Sequence, residues 1–194
     1  MARAIDPSKL ERIKDAVIDL IVEKGYGGAS ISTISRRAGV AEGYLYRHYK
    51  GKEELVNELL YDLIKMIADE MELLLNQYED IDPVVDKLVK RLFEISEDKP
   101  SHIKFVYVLM HDYNFPVAAD QRLRIQQLCE RIKVNGIRTK EVSPSCSQEE
   151  IFLMLVAYPI QFINHRIKGF FGKSGWNNQD IEKVISFCKN SLKG

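Results

Sequence analysis

The chain has 194 residues, of which 28 are basic and 28 acidic, so its formal net charge at pH 7 is zero. This length suffices for a small N-terminal domain and a second domain with its own hydrophobic core. The neutral charge argues against a protein that holds nucleic acid through a basic surface over its whole length.

Several features predict a cytoplasmic protein without membrane association. The N-terminal residues include the charged Arg3, Asp6 and Lys9 in place of an apolar segment, so no secretory signal is expected. The longest apolar run, residues 151–163, is too short to span a bilayer and is predicted to be a buried helix. Three widely spaced cysteines form no C-x-x-C pair and predict reduced thiols: Cys129, Cys146 and Cys188.

The first helix is predicted from Ser8, its expected cap, to Lys24, with Gly25 as its stop. Its inner face consists of apolar residues at helical spacing: Leu10, Ile13, Val17, Leu20 and Ile21. Almost every later segment has the same kind of spacing, and none alternates clearly as a strand does. The sequence therefore predicts an all-α fold.

Two short helices joined by a sharp turn follow. Ser30 can cap the first of them, whose apolar residues fall on one face, and Gly39 supplies the left-handed residue that ends it. In the second, Leu45 and Tyr49 are four residues apart and face inward, while four other residues point outward: Gly43, Tyr44, Tyr46 and Arg47. This pattern predicts a helix-turn-helix whose second helix reads a DNA groove.

The same region has a local excess of positive charge. Residues 36–52 contain one acidic residue, Glu42, and five basic ones: Arg36, Arg37, Arg47, Lys50 and Lys52. A charge run by itself is more often a solvated face. Next to a helix-turn-helix, however, it lies where DNA phosphates are expected.

A series of residues in this region matches a known pattern in register: Asp15-Ala16, Glu23-Lys24-Gly25-Tyr26, Arg37-Ala38-Gly39-Val40, Gly43, Leu45-Tyr46-Arg47-His48-Tyr49-Lys50 and Lys52-Glu53-Glu54-Leu55. These residues resemble the N-terminal domain of the tetracycline-repressor (TetR) family of bacterial transcriptional regulators. The resemblance implies a homodimeric regulator of transcription, a repressor, that binds a double-stranded DNA operator. It divides the chain into a DNA-binding domain, residues 1–52, and an effector-binding and dimerisation domain, residues 53–194.

The residues predicted to contact DNA lie on the second short helix and its flanks: Arg36, Arg37, Ala41, Glu42, Gly43, Tyr44, Tyr46, Arg47, His48 and Lys52. Arg47 can donate a bidentate pair to a guanine edge or clamp a phosphate. Gly43 indicates either close approach of DNA or close helix packing. Tyr44 can lay its ring on a thymine methyl group or reach a phosphate. The resemblance implies phosphate contacts at three further positions: Tyr46, His48 and Lys52.

Two residues depart from the family pattern. Ala41 stands where a serine or threonine usually caps the recognition helix, and the lost hydrogen bond costs about 1 kcal/mol. Tyr44 replaces a smaller residue. The operator preference of relatives is therefore not expected to transfer to this chain.

Six more helices are predicted, about nine in all. The fourth begins near Gly51 and continues to about Tyr78, a rod of roughly 40 Å. Asp82 is expected to cap the fifth, with Pro83 in its first turn. The remaining four are predicted at residues 101–112, 119–138, 148–168 and 179–192.

The last two predicted helices carry more apolar surface than one neighbour can cover. Residues 151–163 are apolar on nearly every side, and Ile181, Val184 and Cys188 contribute to a stripe on the final helix. Such a helix is either the centre of a monomeric bundle or part of a two-fold dimer interface. The resemblance implies the dimer. Pro159 inside the first of these helices is expected to kink it.

Aromatic and methionine residues on two segments can line an effector pocket: Phe105, Tyr107, Met110, Tyr113, Met154, Tyr158 and Phe162. Residues of this kind at helical spacing also form ordinary core. If they form a pocket, the effector is a small apolar or amphipathic molecule.

No catalytic residue, cofactor or metal site is predicted. His102 and His111 are nine residues apart on one predicted helix, which places them on opposite faces, and His165 stands alone. No phosphate-binding loop or nucleophile motif is present. The alternative to a ligand-responsive regulator is a non-specific DNA-binding or protein-interaction module without an effector.

Overall fold

The computed structural model describes residues 6–194, so Arg3 and the first five residues of the predicted DNA-binding domain lie outside it. All regular structure in this part of the chain is helical, which confirms the all-α prediction. The helices are α1 (Pro7–Gly28), α2 (Ile31–Ala38), α3 (Glu42–Leu45), α4 (Lys52–Gln77), α5 (Asp82–Asp98), α6 (Pro100–His111), α7 (Ala119–Thr139), α8 (Gln148–Phe152), α9 (Tyr158–Ile167) and α10 (Asn178–Lys193). A π-helical turn, Leu153–Ala157, joins α8 to α9. With these two counted as one rod, residues 6–194 contain nine helices, as expected.

The chain divides into two compact units. The first contains the residues up to Leu63 together with Lys104–Val117, and the second contains Ile64–Ile103 and Ala118–Gly194. Besides the helix-turn-helix, the first unit thus includes the start of α4 and most of α6. The second unit holds the remaining helices, in which α5, α8, α9 and α10 surround a core that includes Phe93, Leu155 and Val184.

The caps of α1 and α5 differ from those predicted. Asp6, rather than Ser8, caps α1: its Oδ1 accepts from the Ser8 amide at 3.0 Å, and Pro7 occupies the first turn. The prediction that Asp82 caps α5 is also wrong. Glu141 accepts from the Ile81 and Asp82 amides at 2.6 and 2.9 Å. The carboxylate that satisfies the start of α5 therefore comes from a residue far along the chain, after α7.

The predicted single helix over residues 148–168 contains the π-helical turn just before Pro159. The Tyr158 amide donates to the Leu153 carbonyl, five residues back. In this register the next carbonyl, that of Met154, would need an N–H from Pro159, which has none. The Cys188 thiol on α10 donates to that carbonyl instead, with Sγ 3.0 Å from the oxygen. Proline thus shifts the hydrogen-bond register, and a side chain of another helix satisfies the remaining acceptor.

Candidate nucleic-acid interface

The start and end of α2 are set by its own residues. The Ser30 hydroxyl accepts from the Thr33 amide at 3.2 Å, and the Thr33 hydroxyl oxygen accepts from the Ser30 amide at 2.9 Å. Gly39 has a φ of 65° and a ψ of 38°, the left-handed conformation that ends the helix. The predicted cap and stop of this helix are both confirmed, so the turn into α3 is well defined.

Helix α3 is a single turn that continues as hydrogen-bonded turns. The amides of His48 and Tyr49 both donate to the Leu45 carbonyl, each at 2.9 Å. Leu45 and Tyr49 are buried, which confirms that they face inward. Ala41 precedes the helix and supplies no side-chain hydrogen bond, as the departure from the family pattern predicted.

The outer side of α3 is open. Ala41, Glu42, Gly43, Tyr46 and Arg47 are exposed. Among the described residues, no atom of another part of the protein lies within 4 Å of the position that a Cβ on Gly43 would occupy. Helix packing inside the described part of the protein therefore does not explain this glycine.

Tyr44 is a half-buried residue that joins α3 to the start of α1. Its hydroxyl oxygen accepts from the Asp6 amide at 3.3 Å. Two cations lie over its ring: the Lys9 ammonium is 5.3 Å and the Arg47 guanidinium 5.5 Å from the ring centroid. The His48 ring packs edge-on against it at 4.9 Å. Because Asp6 uses only the hydroxyl oxygen, the hydroxyl hydrogen of Tyr44 can still be donated to an acceptor outside the protein.

Arg37 has a partner within the protein. Its guanidinium donates to both carboxylate oxygens of Glu23, at 2.6 and 2.8 Å, and lies 3.9 Å from a carboxylate oxygen of Asp19. The hydrogen bond from Arg37 lowers the pKa of Glu23. Arg36, the residue before it, is exposed.

Lys52 also contacts the protein itself. Its ammonium donates to the Tyr26 carbonyl oxygen at 2.7 Å and lies 3.9 Å from the centroid of the Tyr26 ring. Burial lowers the pKa of Lys52. The Tyr26 ring in turn packs edge-on against Phe115 at 5.2 Å. Sequence reasoning missed Phe115 in this role, since nothing in the local pattern links the end of α6 to the helix-turn-helix.

The residues proposed to line an effector pocket are divided between the two units. In the first unit Phe105 is fully buried and Tyr113 fully exposed. In the second unit the Phe162 ring packs against Phe93 at 6.0 Å, and the Tyr158 ring lies 4.5 Å from that of Phe187. The three remaining residues are half-buried or partly exposed: Tyr107, Met110 and Met154.

Within residues 6–194, no group of three or more histidine, cysteine or carboxylate side chains is placed to hold a metal ion. The histidines there have other contacts: His111 lies 2.7 Å from the Tyr107 carbonyl oxygen, and His165 lies beside Gln161 and Phe170. The three cysteines are buried and unpaired. No helix in this part of the chain is long and apolar enough to cross a membrane.

Comparison with known proteins identifies the class to which this fold and helix-turn-helix belong. The model of the bacterial regulatory proteins of the tetR family matches residues 13–59. The fatty acid metabolism regulator protein of Bacillus subtilis is 30% identical over 129 residues, which cover 66% of this chain and 60% of the relative. The negative regulator IcaR of the biofilm operon icaADBC of Staphylococcus epidermidis is 31% identical over 90 residues, covering 45% of this chain and 47% of IcaR. The chain therefore spans less than two thirds of the length of these relatives.

Solved structures agree over nearly the whole chain. A TetR-family regulator of Marinobacter aquaeolei superposes with a TM-score of 0.78 at 16% identity, covering 96% of each chain. The regulator FadR of Bacillus subtilis, solved with stearoyl-CoA, superposes with a TM-score of 0.68 at 17% identity, covering 95% of this chain and 98% of FadR. The chain therefore shares the fold of these solved structures. Residues 13–59 match the tetR family, as the sequence resemblance of this region indicated. Its relatives are named as transcriptional regulators, a class whose members are generally not enzymes.

Proposed function

We propose that the protein is a homodimeric repressor that binds a palindromic operator and releases it when a small amphipathic effector binds. The observation that carries the proposal is the open outer side of α3, where Gly43 has no packing role among residues 6–194 and Arg47 is exposed. In this proposal residues 1–52 bind DNA, and residues 53–194 bind the effector and form the dimer. The protein acts in the cytoplasm, where its cysteines stay reduced.

The side chains on and around α3 have distinct roles in operator binding. Gly43 lets the backbone approach the DNA closely, and Arg47 reads a guanine edge. The cation–π contact with Tyr44 limits the conformations of Arg47 before DNA binds, which reduces the entropy lost on binding. The Tyr44 hydroxyl donates to a phosphate, since its oxygen already accepts from Asp6. The other residues predicted from the sequence contact the operator around these three.

Exposed apolar side chains on and between the last helices support the dimer. Leu153 and Phe187 are 42% and 47% exposed, and Phe170 and Phe171, in the segment before α10, are 66% and 79% exposed. Large apolar side chains that are exposed in this way are candidates for an interaction surface. A second copy of the chain on a two-fold axis covers them, which places the two α3 helices on successive turns of one face of the DNA.

The fatty acid metabolism regulator of Bacillus subtilis and the FadR structure with stearoyl-CoA point to a first effector to test. A long acyl chain carried as a coenzyme A thioester fits the amphipathic class expected from the sequence. Within the second unit, Met154, Tyr158 and Phe162 are the side chains proposed to contact the acyl chain. Stearoyl-CoA should weaken operator binding, and coenzyme A alone should not. A difference of about 1.4 kcal/mol in its affinity for the two states of the protein shifts operator affinity tenfold.

Selection of bound duplexes from a random pool, with the full-length protein, tests operator recognition. We expect a palindrome with half-sites about one helical turn or more apart, bound at least about a thousand times more tightly than a scrambled duplex. Equal binding to all duplexes would favour the non-specific alternative. No binding to any duplex would favour a protein-interaction module.

A further inference from the structure

The cations around the helix-turn-helix differ in whether the protein already uses them. Arg37 is bound by Glu23, and the Lys52 ammonium is held on the carbonyl and ring of Tyr26. A phosphate would have to compete with these contacts. The tight operator binding proposed above therefore favours additional cations that no carboxylate or carbonyl oxygen of residues 6–194 holds.

Two basic residues of α1 meet this requirement. Lys9 and Arg12 are three residues apart, so they lie on the same face of the helix. The Lys9 ammonium lies over the Tyr44 ring of the recognition helix. An Arg12 guanidinium nitrogen lies 3.5 Å from the position that a Cβ on Gly39 would occupy, which places Arg12 beside the turn between α2 and α3. One cation thus flanks the recognition helix, and the other flanks the turn before it.

The charges around these two residues leave them available. Within residues 6–194 neither Lys9 nor Arg12 forms a salt bridge, whereas Lys14 on the same helix is paired with Asp62 at 2.9 Å. The acidic residue closest in sequence to Lys9 on its helix face, Asp6, is directed into the start of α1, where its carboxylate accepts from the amide and hydroxyl of Ser8 at 3.0 and 2.9 Å. These hydrogen bonds from Ser8, with a smaller effect of Lys9, lower the pKa of Asp6.

We propose that Lys9 and Arg12 bind phosphates of the operator strand that flanks α3, so that the DNA interface extends from the helix-turn-helix onto the first helix. The proposal rests on the DNA-binding function proposed above. The Tyr44 hydroxyl lies between the two helices and donates to the same stretch of phosphates. These contacts add affinity and orient the DNA-binding domain on the duplex, but they carry no base specificity.

The test measures how operator affinity depends on salt concentration, for the full-length protein and its Lys9→Gln, Arg12→Gln and double variants. Each lost phosphate contact lowers the slope of log affinity against log salt by about 0.9, which corresponds to roughly eightfold weaker binding at 0.1 M salt. We expect this loss for each single variant and about twice the change in slope for the double variant. Operator and scrambled duplexes should weaken by the same factor. Lys9→Arg should restore the slope, since it keeps the charge.

Lys14→Gln is the matched control, because it removes one charge from the same helix at a residue that is already paired with Asp62. Its slope should equal that of the unmodified protein. An unchanged slope in the double variant, or an equal change in Lys14→Gln, would overturn the proposal for Lys9 and Arg12 while leaving operator binding intact. Failure of the unmodified protein to prefer any sequence would instead overturn the proposed function itself. Thermal melts of each variant check that substitution of these half-buried or exposed side chains leaves the fold unchanged.

Discussion

The helix-turn-helix and the second unit are stabilised by contacts of different range along the chain. Helix α2 is capped by Ser30 with Thr33 and ended by Gly39, all within ten residues. In the second unit, the start of α5 depends on Glu141, and the π-helical turn depends on Cys188 of α10. A helix whose ends are capped by residues close in sequence tolerates change elsewhere in the protein. A helix whose free backbone groups are satisfied by a side chain distant in sequence forms correctly only when the whole unit folds.

This difference separates two kinds of experiment. Substitutions in the helix-turn-helix are expected to alter DNA binding and leave the second unit stable. Substitutions at the distant contacts are expected to lower the stability of the second unit, and to affect DNA binding only through the dimer.

The largest loss of operator affinity is expected from a substitution at the proposed dimer interface of the second unit. Phe187→Glu places a charge on an exposed aromatic residue of α10 and should yield folded monomers. A monomer lacks the second DNA-binding domain of the dimer, so operator binding should weaken at least about a hundredfold. Analytical ultracentrifugation and operator titration measure the two effects. Leu73→Glu, which alters an exposed apolar residue of α4 in the same unit, is the control and should remain dimeric. A Phe187→Glu variant that stays dimeric would remove α10 from the interface.

Within the second unit, Glu141→Ala should cost about 1.5–3 kcal/mol of unfolding free energy, because two partly buried amides lose a charged acceptor. Burial opposes ionisation of Glu141, but hydrogen bonds from Thr139, Ile81 and Asp82 outweigh it and lower its pKa. Its contribution is therefore present above the unfolded pKa of about 4.3 and is lost as the pH falls through the lower folded value. Denaturant titrations at pH 7 and pH 3 should show a large difference between variant and parent that shrinks in acid.

The control for Glu141 is Glu79→Ala, which removes an exposed carboxylate whose 3.4 Å pair with Arg138 lies at the surface. Surface pairs contribute about 0–1 kcal/mol. A Glu141→Ala variant no less stable than Glu79→Ala would show that the start of α5 does not depend on the distant carboxylate.

In the helix-turn-helix, Arg47→Ala should cost about 1–3 kcal/mol of operator affinity if Arg47 reads a base. The loss should then be larger on the operator than on a scrambled duplex. Lys9→Gln provides the comparison, because a phosphate contact weakens both duplexes equally. Equal losses on both duplexes for Arg47→Ala would assign this residue to a phosphate. Thermal stability should not change, since the side chain is exposed.

The thiol contact at the π-helical turn predicts a smaller effect. Cys188→Ala leaves the Met154 carbonyl without its donor and should cost about 1 kcal/mol, because a thiol is a weak donor, whereas Cys188→Ser keeps a donor and should cost less. Burial raises the pKa of Cys188 to about 12, so the sulfur carries its proton at neutral pH. Pro159→Ala supplies the missing N–H and should reduce the cost of Cys188→Ala in a double-mutant cycle measured by urea unfolding. Additive effects would show that the thiol and the proline act independently.

The smallest expected effect is a gain. Ala41→Ser adds a hydroxyl that can accept an amide hydrogen bond at the start of α3, where the side chain now supplies none. The gain in stability should be about 1 kcal/mol, visible as a higher melting temperature. Ala41→Val, which adds bulk but no acceptor, should bring no gain. If the serine also strengthens operator binding while the valine does not, the hydroxyl reaches a phosphate as well.

Most parts of the structure that follow local rules were predictable, although the cap of α1 is Asp6 and not the predicted Ser8. The Ser30 cap, the Gly39 stop and the inward Leu45 and Tyr49 depend on residues a few positions apart, and the structure has each of them. The candidate site was only partly predictable. Positive charge located the residues around α3, but it did not distinguish Arg37, which Glu23 binds, from Arg36, which forms no ion pair within residues 6–194.

The sequence by itself determined the all-α class, the helix-turn-helix and the family resemblance of the N-terminal region, because helical periodicity, caps and a motif in register are properties of neighbouring residues. Only the tertiary structure decided which side chains form hydrogen bonds with the free backbone groups of α5 and the π-helical turn. It also decided which cations around the helix-turn-helix already have a partner within the protein. Those outcomes depend on residues far apart in the chain, and no local pattern records which of them come within hydrogen-bonding distance. The position of Lys9 and Arg12 beside α3 belongs to the same group, because α1 reaches the recognition helix only in the folded first unit.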